Sequence, residues 1–186
     1  MADGESSIEP ERRLFERLNA DHANLANLVL VIESLLERLH DGEAIDRSLL
    51  VDVVDYAADY LDREHEPRER RALAAVATVV PMVTALRRVL QSHADDVLAA
   101  LARLRERDVH LLSVDDLVRA GFAYTCALRT RISFEESVVL SLGCLAAAGA
   151  DGCVGQGDAS SAGDSDRDRA TFEALTARLG CGCPFE

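Results

Sequence analysis

Three histidines and two glutamates fall where a helical chain should be apolar, and imidazole and carboxylate are side chains that bind transition metals. They are His22, His65 with Glu69, His93, and Glu135 with Arg131 four residues before it. A buried imidazole or carboxylate without a partner is expensive, so such a set on interior positions points to a bound ion or to a closed polar network. His65 and Glu69 share the spacing of Arg131 and Glu135, which puts both members of each pair on one helix face. An arginine thus stands where that similarity predicts an imidazole. It keeps its proton, offers no lone pair and cannot ligate a cation.

The elements that must position these groups follow from apolar periodicity. From Leu14 the apolar positions run Leu18, Leu25, Val29, Ile32, Leu36 and Leu39, and His22 fills the missing step, which predicts a helix over 10–40 with the imidazole inward. After Asp41-Gly42-Glu43, Asp46 is a good N-cap for a second helix carrying Leu50, Val54, Ala57 and Leu61. Pro67 predicts a bend near Asp62 before that helix continues to about Thr78. A third helix over 82–106 places Leu86, Leu90, His93, Val97, Ala100 and Leu104 on one stripe. Ser113 and Asp116 resemble a capping box that starts a fourth, whose stripe reads Leu117, Gly121, Tyr124, Leu128, Arg131, Glu135, Val138, Leu142 and Leu145.

Four long helices joined by short turns predict an all-α, up-down-up-down four-helix bundle over about 10–147, the architecture that builds metal sites from facing helices. A Gly-, Ser- and Asp-rich loop over about 148–166 and a short C-terminal helix with a cysteine-bearing tail over 167–186 complete one expected domain, 1–186. Its core must come from Leu, Val and Ala, because aromatic residues make up only 4 % and Trp is absent.

A formal charge of -13 excludes a phosphate-backbone ligand, so no nucleic acid is expected. The longest nearly uncharged run, Ala72–Leu86, contains Pro81 and falls short of the roughly 20 residues a spanning helix needs, so no membrane is expected. Met1–Pro10 has neither the basic region nor the apolar core of a secretory signal, which predicts a cytoplasmic protein. The cysteines, Cys126, Cys144, Cys153, Cys181 and Cys183, are odd in number, and free thiols are expected. Cys144, Cys153, Cys181 and Cys183 as a zinc site remain an alternative, although the spacing is not the paired Cys-x-x-Cys of common ones.

Several stretches together resemble the hemerythrin-like cation-binding (HHE) family. They are Asp21-His22 with the stripe from Leu25 to Leu36; Val54-Asp55-Tyr56, Tyr60 and Asp62 leading to His65, Pro67, Arg68 and Glu69; His93; and Leu128-Arg129-x-Arg131-Ile132-x-x-Glu135-Glu136, over residues 14–145 in all. The resemblance implies a helical bundle that holds non-haem iron and binds or senses a small diatomic, dioxygen or nitric oxide. It implies that His22 and His65 serve one metal, that His93 serves another, and that Glu69 and Glu135 lie between them. Arg131 departs from the pattern, since the second metal's other imidazole is missing, and Glu66 replaces a histidine common just after the ligand.

From charge and ligand chemistry, Arg131 is expected to fork onto Glu135 or Glu69 in place of one cation, leaving a site for a single divalent ion. Iron is expected, with manganese and zinc also compatible. Tyr124, on the Arg131 stripe, could reach the same pocket. Three alternatives stay open: a metal-free bundle acting as an interaction or scaffold module, with Arg131 snorkelling outward or closing an ion network; completion of a second metal position by Asp96 or Glu136; and a redox enzyme or iron-donating repair factor.

Overall fold

The computed structural model describes residues 5–77, 83–105 and 112–143, with side chains from residue 13 onward. All of these belong to the first of two compact units, Met1–Gly152. Cys144, Cys153, Cys181 and Cys183, the loop at 148–166 and the closing helix expected within 167–186 lie outside the described residues. Cys126 is an exposed free thiol.

Every regular element among the described residues is helical. The helices are α1 (Glu5–His40), α2 (Arg47–Tyr60), α3 (Glu66–Val76), α4 (Val83–Arg105) and α5 (Val114–Glu135). Two π-helical turns lengthen the rods: Leu61–His65 joins α2 to α3, and Glu136–Leu140 extends α5. Four rods result, and α1 packs on α2 and α3 at one side and on α5 at the other, while α4 packs on α5 and α3. Neighbours in sequence are therefore neighbours in space, and the ring closes between first and last, as the all-α up-down-up-down bundle requires. No described helix is long and apolar enough to cross a membrane.

Local chemistry starts the rods where the sequence marks them. The Asp46 carboxylate accepts the Ser48 N–H at 2.9 Å, and the Ser113 hydroxyl oxygen accepts the Asp116 N–H at 3.1 Å. Each satisfies a backbone donor that a helix start leaves without a partner.

At the place of the expected bend lies the first π-helical turn, in which the Glu66 N–H bonds back five residues to the Leu61 carbonyl. Pro67, lacking an N–H, then stands in the first turn of α3, where none is needed. The turn also corrects a phase error. Ala57, Leu61, His65 and Glu69 are spaced by four throughout, and each such step in a regular α-helix overshoots by roughly 40°. A turn closed at i→i+5 takes in the surplus residue, so all four stay buried.

The second π-helical turn shifts the expected stripe on the last rod. Beyond Glu135 the buried positions are Val139 and Gly143, whereas Val138 and Leu142, expected inward, are only half-buried. The cause is the same added residue.

Gly121 lets α1 and α5 approach closely, since a Cβ there would stand 2.6 Å from both Leu36 methyl carbons. Alanine would recover up to about 1 kcal/mol of helix propensity against that crowding, so valine is the sharper probe. Gly121→Val is expected to destabilise the protein by about 1–3 kcal/mol through overpacking. Chemical denaturation would measure it, and an unchanged midpoint would show that Leu36 can move aside.

Candidate metal centre

Three of the four rods send one polar side chain each to a common point inside this core. His22 comes from α1, His65 from the end of the first π-helical turn and Glu135 from the end of α5, and all three are buried. His22 Nε2 lies 3.0 Å and His65 Nε2 2.8 Å from the same carboxylate oxygen, Glu135 Oε2. The imidazole rings are tilted by 47° with centroids 5.1 Å apart, so both edges address that oxygen without stacking. A buried His22, His65 and Glu135 group of this kind could hold a metal ion.

The separations suit that use. Metal bonds to nitrogen and oxygen of about 2.1 Å put neighbouring ligand atoms roughly 3.0 Å apart in octahedral and roughly 3.4 Å apart in tetrahedral geometry. The observed 3.0 and 2.8 Å lie nearer the octahedral value. They are also hydrogen-bond lengths, each ring donating Nε2–H to Glu135 Oε2. An ion could therefore replace the two protons with little movement of the side chains.

Arg131 occupies the space beside this group, on the far side of Glu135. Its Nε donates to Glu135 Oε1 at 2.8 Å, its Nη2 to Glu69 Oε2 at 2.6 Å and its Nη1 to Glu66 Oε1 at 3.3 Å. Arg131 is 3 % exposed, so the guanidinium is held inside and does not snorkel. The divided use of Glu135, with Oε1 to the arginine and Oε2 to the histidines, is the central feature of the site. Apolar periodicity gave no sign of Glu66; its position next to His65 carries it to the outer arm of Arg131.

Electrostatics separates the two glutamates. Burial pushes the Glu135 carboxyl up, but hydrogen bonds from His22 and His65 and the charge of Arg131 outweigh it and hold the group well below the usual carboxylate range. For Glu69, burial and the charge of Glu135 win over Arg131, and its carboxyl rises. Burial disfavours the Arg131 charge, but Glu135 and Glu69 more than restore it. Two carboxylates facing one buried guanidinium leave surplus negative charge beside the imidazoles.

A second polar network lies across the same pair of rods. Tyr60 donates to Asp21 Oδ1 at 2.7 Å and Arg68 Nη1 donates to it at 2.6 Å, while Asn24 Nδ2 donates to the Tyr60 hydroxyl at 3.1 Å and Arg68 also pairs with Glu64. Burial, then the charge of Asp21, pushes the Tyr60 phenol well up. Asp21 precedes His22, and Arg68 follows His65 by three residues, so the network braces the two rods that carry the imidazoles. The signal in the sequence was an acid next to a ligand on a buried face; its partners depended on how α1 meets α2 and α3.

His93 and Tyr124 are not brought to this point. His93 is only partly buried, and its ring meets Phe134 edge-on at 5.0 Å between centroids. It lines an open cleft of about 620 Å³ with Arg129, Thr130, Ser133, Phe134 and Ser137. On α5 that cleft is bordered by Phe134 and Ser137, whereas Arg131 and Glu135 meet Glu69 and the two imidazoles. Periodicity placed His93 on the inner stripe of its helix, but the rotation of α4 against α5 decided which neighbour it meets. Tyr124 is fully buried with a hydroxyl that has no hydrogen-bond partner, about 10 Å along α5 from Arg131. Burial raises its phenol, and its charged neighbours are Arg105 and Asp55 and not the imidazole group. Asp96 is exposed on α4.

Comparison with family models, with curated proteins and with solved structures gives no match to this chain.

Proposed function

We propose that the chain is a cytoplasmic, non-haem iron protein of the hemerythrin-like kind that holds one ion on His22, His65 and Glu135 and uses it to bind or sense a small diatomic, dioxygen or nitric oxide. The observation that carries this reading is the sharing of Glu135 Oε2 by two imidazole Nε2 atoms at 3.0 and 2.8 Å in a buried site. Two histidines and one carboxylate are the donor set that suits ferrous iron and leaves coordination positions open. An iron ion there would supply those open positions to the diatomic.

The chain's own residues supply the rest. Leu18 and Val139, one helical turn from His22 and Glu135, belong to an apolar cluster with Ala72, Leu73, Leu86 and Leu90, which keeps bulk water from competing. Arg131 holds Glu135 Oε1, so that the carboxylate offers a single oxygen to the ion. It also supplies a fixed positive charge where a second ion would otherwise be needed to balance Glu69 and Glu135. Glu69, expected as a ligand, serves in this reading as a partner of Arg131.

A second reading rests on one observation: all three arms of Arg131 meet carboxylates, so the guanidinium is fully paired without an ion. It makes the protein a metal-free interaction module. Metal analysis of protein purified without chelators separates the two. One iron per chain is expected in the native protein and none in His65→Ala. No metal in either would favour the metal-free bundle, a full complement of zinc or manganese would reassign the ion, and two ions per chain would show that Arg131 does not fill a cation position. A change in the optical spectrum of the reduced, oxygen-free protein on adding nitric oxide is expected, and its absence would count against a diatomic ligand.

A further inference from the structure

Resting on the ion site just proposed, we infer that Glu136 is a positioning residue for His22: on metal binding its carboxylate closes onto the outer ring nitrogen and strengthens the imidazole as a ligand. His22 Nδ1 lies 3.7 Å from Glu136 Oε1, just beyond hydrogen-bond reach, and the nitrogen is buried with no hydrogen-bond partner. Proton placement accounts for that gap. A neutral imidazole carries one N–H, and in His22 it is spent on Glu135 from Nε2. The outer nitrogen then presents a lone pair to a carboxylate, and two acceptors do not bond.

Metal binding reverses the arrangement. To offer an ion its lone pair, Nε2 would have to give up its proton; the neutral ring would then carry that proton on Nδ1, and Nδ1–H would be a buried donor that needs an acceptor. Glu136 is the carboxylate already placed for it. No bond to the protein backbone has to break, because the Glu136 side chain is 51 % exposed and free to swing through the remaining distance. Its position at the start of the second π-helical turn, directly after ligand Glu135, lets one rod supply both the inner and the outer carboxylate of His22. His65 lacks this support: its Nδ1 is equally buried, but its one carboxylate pairing among the described residues is from Nε2 to Glu135. The two imidazoles should thus differ as ligands, with His22 the stronger donor.

The test compares native protein with Glu136→Gln and Glu136→Ala, using ferrous iron alone under anaerobic conditions against a competing chromogenic chelator. Affinity is expected to fall about 10–100-fold in Glu136→Ala, the range found when outer partners of metal-bound histidines are removed. Glu136→Gln should lie between the two, because its amide oxygen still accepts. Stoichiometry should stay at one ion, and the thermal midpoint of the metal-free protein should not move, which separates positioning from a structural role. Equal affinity in all three proteins would overturn this assignment and leave the ion site standing. A parallel loss of midpoint and affinity, or a loss of stoichiometry in place of affinity, would overturn it in favour of a structural or a directly ligating Glu136. Native protein that takes up no iron would overturn the site and this assignment together.

Discussion

Arg131→Met is expected to destabilise the metal-free protein by about 3–5 kcal/mol at neutral pH, the usual cost of removing one partner from a buried ion pair. Methionine fills much of the arginine volume, so the loss isolates charge from packing. Without the guanidinium, Glu69 and Glu135 would share a dry interior with nothing to balance them, and Glu69 is the one already pushed up by burial and by Glu135. A carboxylate raised in the folded state takes up a proton more readily there than in the unfolded chain, so stability falls as pH rises through its folded pKa. The deficit of Arg131→Met should therefore shrink from neutral to mildly acid pH, as Glu69 goes protonated. Urea unfolding at several pH values measures this. A variant as stable as the native protein at neutral pH would mean that the carboxylates are already neutral or solvated, and the buried network would have no energetic role.

Arg131→His should raise the metal content from one ion per chain to two. The native guanidinium bridges Glu69 Oε2 and Glu135 Oε1 at 2.6 and 2.8 Å, so those two oxygens already converge on a position fit for a cation. An imidazole at residue 131 would add a nitrogen donor to them, in the spacing to Glu135 that His65 has to Glu69. The second ion would have one imidazole and two carboxylates, since His93 packs on Phe134 and not at this point. Metal analysis with optical spectroscopy reads the outcome, because a carboxylate-bridged pair absorbs differently from a single ion. A variant that still binds one ion would show that filling by Arg131 is not what limits the count.

The sequence carried the inward face of each rod because apolar spacing reports helix phase directly, and so His22, His65, Arg131 and Glu135 were legible as buried polar positions. It misjudged the rods where phase slips. Val138 and Leu142 were expected inward, yet the added residue of the second π-helical turn turns Val139 and Gly143 to the core. On the second rod the slip had a visible sign, the consecutive spacings of four through Ala57, Leu61, His65 and Glu69, which no regular α-helix can keep on one face.

By itself the sequence determined the helical class, the caps at Asp46 and Ser113, and a guanidinium among inward-facing acids, since all three depend on residues near one another along the chain. Only the tertiary structure decided which of those inward groups meet. The rotation of each rod about its axis brings His22 and His65 to one oxygen of Glu135, spends the other on Arg131 and turns His93 toward Phe134. Periodicity fixes which residues face inward, but the approach of two rods depends on side-chain packing at every layer between them, and no local spacing encodes that sum.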